Sequence, residues 1–319
     1  MTPVVELRNC AVCGGSSIAP VLQRPLSQFL NGRAGYYRLD SLSLTGDELM
    51  GYVRCRDCSF VFASPTLDSS LELATYNDAK SGQPETKPWM SDPDAASLYQ
   101  THHKWVDLNP FVLGLGFHVD RYEKPKNPGM AQVRLLDVGC GYGHTLELAR
   151  VFGLDGVGCD LDQSRIAACR DKGLRVVEPS CVEGVYDLVV SSNVIEHVYD
   201  LHAYVAMIGR HMAPRGVFVF NGLEESVIGV EMKKPRFKLL HPIEHRNVLT
   251  RKSLKRLLGG HGLRLVTRAE ILRVMRRVRS KAPLYLPYLL KSGFVAVNGV
   301  FSAIATHDDR GSRPTAAGR

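Results

Sequence analysis

The sequence lacks a long uninterrupted apolar run. Its most apolar late stretch, Pro283 to Ala305, is broken by Pro287, Lys291 and Asn298, which argues against a membrane-spanning helix of about 20 residues. Met1 to Cys13 carries no basic leader followed by an apolar segment. Nothing there reads as a secretory signal, and a cytoplasmic location is expected. In that compartment free or metal-bound thiols are expected rather than disulfides. No internal repeat and no collagen-like, mucin-like or prion-like bias is visible, so fibrous, solenoid and low-complexity classes drop out. Acids are scarce in one place. Between Met232 and Lys291 stand 17 Lys/Arg against Glu244 and Glu270, a local excess of +15 that leaves −7 on the rest of a +8 chain. Such a stretch suits an anionic substrate, a nucleic acid or an acidic membrane surface; a solvated basic face is the alternative.

What is present begins with cysteine. Four of the eight cysteines form two pairs, Cys10 with Cys13 and Cys55 with Cys58. Two intervening residues let both thiolates of a pair reach one ion, and a glycine after the second, as at Gly14, permits a tight turn. The second pair has Ser59 there. Two such knuckles predict a closed four-sulfur zinc site, structural because no position is left for water. Cys140, Cys159, Cys169 and Cys181 are scattered and read as small core residues. An inserted hairpin or helix is expected around Pro25–Leu30, and Phe60–Pro65 reads as a strand ended by proline. Tyr76 to Pro93, rich in Pro, Asp, Lys and Ser, reads as a linker or lid.

From Val133 short β-branched runs alternate with helical stretches, the pattern of a parallel sheet flanked by helices. Val133–Val138 is a strand running into Gly139, Gly141 and Gly143, after which a helix from His144 stops at Gly153. Glycines at that turn let a cofactor lie against bare backbone at a helix N-terminus. A dinucleotide fingerprint would need glycine where His144 stands. Asp137, two residues before the first glycine, is placed to hold the loop and meet a cationic ligand. A second strand, Gly156–Asp160, ends in an acid at the distance expected for a ribose partner. Asp162 can cap a helix over Gln163–Lys172 that Gly173 terminates. Strands follow at Leu174–Glu178, Tyr186–Asn193 and Val217–Asn221, with a helix over Leu201–Met212. Arginines alternate with apolar residues over Ile271–Lys281 at helical spacing. This stretch reads as the closing helix before a last strand, Val300–Thr306, with an interfacial helix in peripheral contact with a membrane as the alternative.

Leu135–Gly143, Gly158–Asp160, Tyr186–Val190 and Ile195–Val198 resemble successive motifs of class I S-adenosylmethionine-dependent methyltransferases. Pro242–Leu258 is similar to the segment after strand five in that group, and the cysteine module resembles a zinc-ribbon-containing subset, many of whose members modify sugars in polysaccharide or natural-product pathways. The resemblance implies an α/β fold: a Rossmann-like, doubly wound, mostly parallel seven-stranded sheet behind a small N-terminal zinc-binding module. It divides the chain into a module over 1–75, a linker or lid with leading helices over 76–130, a methyltransferase domain over 131–307, and a tail over 308–319. It implies S-adenosyl-L-methionine as cofactor, with Gly139, Gly141 and Gly143 beneath its methionine part, Asp160 on its ribose and Asn193 lining the methionine side.

Methyl transfer to a hydroxyl or carbon calls for a general base. His197, just past strand four, and His245, in the segment crossing after strand five, are the candidates. The expected substrate is small and anionic, a sugar or nucleotide sugar. An RNA substrate would use the zinc module and the basic third, but the first 75 residues are neither strongly basic nor laced with aromatics, so nucleic acid is disfavoured. A catalytically silent binding protein of the same fold is the third reading; the intact acids and glycines argue against it.

Overall fold

The computed structural model describes residues 4–5, 7, 9–30, 39, 43–68, 133–151, 153–234, 237, 239–277, 294–297 and 300–308. The expected linker and leading helices over 76–130, and the tail beyond Asp308, lie outside them.

The first part contains β1 (Val4–Val5), β2 (Ile18–Pro25), α1 (Leu26–Leu30), β3 (Leu49–Cys55), β4 (Val61–Ala63) and β5 (Thr66–Leu67). The expected element around Pro25–Leu30 is α1, which buries Leu26, Phe29 and Leu30. The strand expected before Pro65 is β4. β2, β3 and β4 run as an antiparallel meander, while β1 pairs with β5.

The second part alternates strands and helices: β6 (Arg134–Val138), α2 (His144–Val151), β7 (Asp155–Cys159), α3 (Gln163–Asp171), β8 (Val176–Val177), β9 (Tyr186–Ser191), α4 (Leu201–His211), β10 (Met212–Leu223), α5 (Ser226–Glu231), β11 (Asn247–Val248), α6 (Arg251–Gly259), β12 (Leu263–Leu265), α7 (Arg268–Arg277), β13 (Phe294–Val297) and β14 (Val300–His307). The sheet order is β12-β14-β10-β9-β6-β7-β8, with β13 paired to β14. β14 is antiparallel to its neighbours, and the links from β10 through β9, β6 and β7 to β8 are parallel. The seven-stranded, mostly parallel sheet is therefore present. β13, an added strand, comes from the apolar stretch before Val300.

Local chemistry sets the helix ends as expected. Asp162 accepts from the N–H groups of Ser164 and Arg165 at the start of α3, and Gly173 takes a left-handed φ of +69° behind it. Thr250 and Ser253 form a reciprocal capping box on α6. Apolar side chains alternate across the central strands. Phe218 and Phe220 face α4 and α6, whereas Val217 and Val219 face the side packed by α2, α3 and α7. Helices on both faces make the sheet doubly wound. Among the described residues no helix is long and apolar enough to cross a membrane.

The two parts share structure. β11, which comes after β10 in the chain, pairs with β4 (Asn247 with Phe62, Val248 with Val61), so the module's sheet reads β11-β4-β3-β2. Phe60 and Phe62 stack at 5.3 Å and are buried in one apolar cluster with Leu254, Leu257 and Leu258 of α6. Burial of side chains this size contributes about 1.5–3 kcal/mol each.

Candidate functional site

The four paired cysteines converge. Cys10 Sγ lies 3.5 Å from Cys58 Sγ and Cys13 Sγ 3.6 Å from Cys55 Sγ, and all four sulfurs fall within 4.8 Å of one another. Sulfurs about 2.3 Å from a tetrahedral zinc would stand about 3.8 Å apart, so the cluster fits that ion. The two knuckles share one backbone pattern. Gly14 N–H donates to Cys10 C=O and Ser59 N–H to Cys55 C=O, while Cys10 and Cys55 donate to Gly15 and Phe60. Ser59, the departure from glycine, holds a left-handed φ of +64° to keep that turn. Val12 N–H reaches Cys10 Sγ at 3.4 Å. Burial pushes the Cys10 thiol up, and the Cys58 thiol up to about 11, so metal uptake would release protons here. None of the eight cysteines is in a disulfide; Cys140, Cys159 and Cys169 are buried, Cys181 exposed.

The glycine turn leaves β6 next to buried Asp137. Gly139, Gly141 and Gly143 all have positive φ (+71°, +54°, +83°), and their missing side chains do different work. A Cβ on Gly139 would strike Val194, and one on Gly143 would strike Leu174 and Cys169; one on Gly141 would meet nothing within 4 Å. The open backbone face is therefore at Gly141. Its N–H donates to Asp160 Oδ2 at 2.8 Å, and Asp162 N–H donates to Asp160 Oδ1 at 3.0 Å. A carboxylate offers about four lone-pair sites, so this 5 % exposed side chain has capacity left for two hydroxyls. Arg165 approaches Asp160 at 4.0 Å and Asp162 at 3.3 Å, balancing the buried charge. Asn193, exposed with φ +55°, donates its N–H to the side chain of fully buried Asn221. An open backbone face beside a buried, backbone-braced carboxylate fits a ribose-bearing cationic cofactor such as S-adenosylmethionine.

His197 and His245, widely separated in the chain, meet. Their ring centroids are 4.7 Å apart at 62°, and His241 lies 5.6 Å from His245. His197 Nδ1 contacts Glu244 C=O at 3.0 Å and His245 Nδ1 contacts Leu239 C=O at 2.7 Å. A carbonyl only accepts, so each Nδ1 donates, and a ring so held has Nε2 as its acceptor when it is neutral. Glu196, buried, joins them: one side-chain polar atom of each of the three residues lies within 4.8 Å of the others. Asn247 clamps this cluster, its side-chain amide donating to Ile195 C=O and Val198 C=O and its N–H to Glu196 C=O. Because Val194 fills the space beside Gly139, the histidine turn abuts the glycine turn.

Among the described residues the basic side chains of 233–256 are spread over separate places. Lys234 is paired with buried Glu231. Buried Arg246 lies over the Tyr199 ring at 4.3 Å. Arg251 and Lys255 line a cavity of about 540 Å³ with Arg264 and Arg268 at the β12 edge. Arg165, Glu196 and Asn221 join the site without having been candidates in the sequence; Glu196 lies in the Ile195–Val198 motif, and Asn221 is a polar residue closing an apolar strand.

A family model described as a methyltransferase domain matches residues 98–268, more than half of the chain. The ubiquinone biosynthesis O-methyltransferase of Bradyrhizobium diazoefficiens is 31% identical over 104 residues, covering 30% of this chain and 41% of that protein. Its counterpart in Mesorhizobium japonicum is 26% identical over 165 residues, covering 44% and 63%. The chain thus spans about two fifths of the length of the first relative. Among solved structures, the plantazolicin methyltransferase BpumL in complex with SAH covers 69% of this chain and 92% of its own, at 15% identity and a TM-score of 0.45.

Proposed function

The chain belongs to the methyltransferase-domain family, and we propose that it carries out S-adenosylmethionine-dependent methyl transfer to a small, anionic acceptor in the cytoplasm, a sugar or nucleotide sugar. The observation that carries this reading is the histidine pair. Two imidazoles 4.7 Å apart, both held by backbone carbonyls with Nε2 as acceptor, stand against the glycine turn.

When bound, the cofactor supplies a methyl group already activated on a sulfonium. The chain's residues then have two tasks, alignment and proton removal. Asp160 receives the ribose hydroxyls, Gly141 offers bare backbone, Asp137 faces the positive charge, and Gly139, Gly143 and Asn193 shape the methionine side. His197 or His245 takes the acceptor proton at Nε2. The relatives named as O-methyltransferases support oxygen as the acceptor atom. The excess of Lys and Arg between Met232 and Lys291 supports an anionic group on the substrate. Cys10, Cys13, Cys55 and Cys58 hold one structural zinc.

The test is incubation with methyl-labelled cofactor and separate panels of nucleotide sugars, free hydroxylated metabolites, total RNA and lipid-linked glycans. Label in a nucleotide sugar supports the reading. Transfer only to RNA would overturn the substrate class. Transfer to a sugar that survives loss of both histidines would remove the proposed bases.

A further inference from the structure

His245 is held from the cysteine module. β3 ends on Cys55, and β4 starts three residues after Cys58, so both strands spring from the second knuckle. Tyr52 of β3 and Ala63 of β4 are partners across that ladder. The Tyr52 hydroxyl, on a side chain only 1 % exposed, donates to His245 C=O at 2.7 Å. Ala63 N–H donates to Arg246 C=O at 2.8 Å. The next two residues, Asn247 and Val248, pair with Phe62 and Val61. Four consecutive residues are thus gripped by two strands, one ending on Cys55 and the other starting three residues after Cys58.

We propose that Tyr52 is a positioning residue for His245, and that the cysteine module is by this route part of the methyl-transfer site. The inference rests on reading His245 as the proton acceptor. The His245 ring is anchored through Nδ1 to Leu239, a carbonyl in its own segment. That anchor fixes the ring against the segment and leaves the segment to be fixed from outside. Asn247 and the His197–Glu244 contact fix it on the side of the β9–α4 turn. Tyr52 and Ala63 fix it on the other. A buried tyrosine satisfied by whichever carbonyl is nearest would need no such company. Here the adjacent strand delivers a second donor to the adjacent residue, which makes the contact one rung of a continuous clamp. Small displacements of a base are costly in rate, because reacting groups must stand within hydrogen-bond reach.

The experiment compares wild type with Tyr52→Phe, which keeps the ring packed on Phe29 and deletes only the hydroxyl. Arg54→Gln serves as control, removing another tie between module and domain (Arg54–Glu225) without touching residues 245–248. In Tyr52→Phe the expected result is a fall in kcat on the order of tenfold, with calorimetric affinity for S-adenosylmethionine unchanged and a flattened pH–rate profile. Long-range nitrogen–proton NMR should show the His245 ring, assigned by its loss in His245→Gln, leaving its single Nδ1–H tautomer. Arg54→Gln should retain both turnover and spectrum. Chelator-stripped wild type should reproduce the Tyr52→Phe spectrum, a second route should the variant fold poorly. Wild-type turnover with a wild-type histidine spectrum in Tyr52→Phe would overturn the proposal, and so would equal losses of turnover and cofactor affinity. Full turnover in His245→Gln would remove the base itself; the substrate-free NMR readout tells that failure apart from a failure of positioning.

Discussion

Replacing Asp160 by asparagine tests the cofactor site with a change of few atoms. Both carboxylate oxygens already accept a backbone N–H, one from Gly141 and one from Asp162. Asparagine has a single acceptor oxygen, so its NH₂ must face one of those N–H groups, donor against donor. The variant therefore disturbs the turn that presents Gly141 and also removes the charge that would receive two ribose hydroxyls. A hydrogen bond to a charged group is worth about 1.5–3 kcal/mol. Part of each hydroxyl bond survives as a neutral one, so we expect a loss of about 2–3 kcal/mol in cofactor affinity. At 1.4 kcal/mol per tenfold, that is a Kd raised about 30- to 150-fold. Isothermal calorimetry with S-adenosylmethionine and with its demethylated product measures it directly, and circular dichroism checks the fold. A Kd within about threefold of wild type would refute the reasoning, because either the ribose lies elsewhere or Asp160 does not order the turn.

Three more expectations rest on separate features. Metal analysis of protein purified under reducing, chelator-free conditions should find one zinc per chain, and none in Cys55→Ser; a metal-free wild type would refute the four-cysteine assignment. Gly143→Ala puts a methyl group into the Leu174 and Cys169 side chains at a left-handed φ of +83°, and should cost about 1–3 kcal/mol of stability; a melting temperature equal to wild type would contradict that packing. Burial alone would raise the Glu270 carboxyl, but the paired Arg264 guanidinium and the Thr267 N–H and hydroxyl outweigh it and hold the pKa down to about 2. A depressed carboxyl contributes stability above its unfolded value near 4.5 that is lost as pH falls toward 2. Glu270→Gln should therefore lower the melting temperature at pH 7 and converge on wild type at the acid end; a pH-independent difference would refute the assignment.

Much of the fold was legible because its signals are local. The glycine turn after β6, the acid ending β7, the Asp162 cap and the Gly173 stop each depend on residues a few positions apart. Periodicity separated the central strands from α2, α3 and α4, and the duplicated cysteine spacing marked the four-sulfur cluster. What stayed hidden depends on long-range pairing. β11 is two residues long, too short for any periodic signal, yet it joins β4 to the segment between β10 and α6. His197 and His245 were readable as separate candidates; their meeting depends on Asn247 clamping the turn after β9, which no spacing rule reports. Tyr52 carried no signal at all, since one tyrosine in a short, largely buried strand looks like any core residue. The three glycines looked alike in sequence, and only the packing of Val194, Leu174 and Cys169 separates two close-packed positions from the open one.

Methyl transfer with a histidine of the 197–245 pair as base can be read in a single-turnover assay with methyl-labelled S-adenosylmethionine and the acceptor found by the panel, comparing wild type with His197→Gln, His245→Gln and the double variant. Wild type should give labelled product, loss of the acting base should lower the transfer rate about 10²- to 10⁴-fold, and cofactor affinity should stay unchanged throughout. Wild-type transfer by the double variant would show that neither histidine is the base.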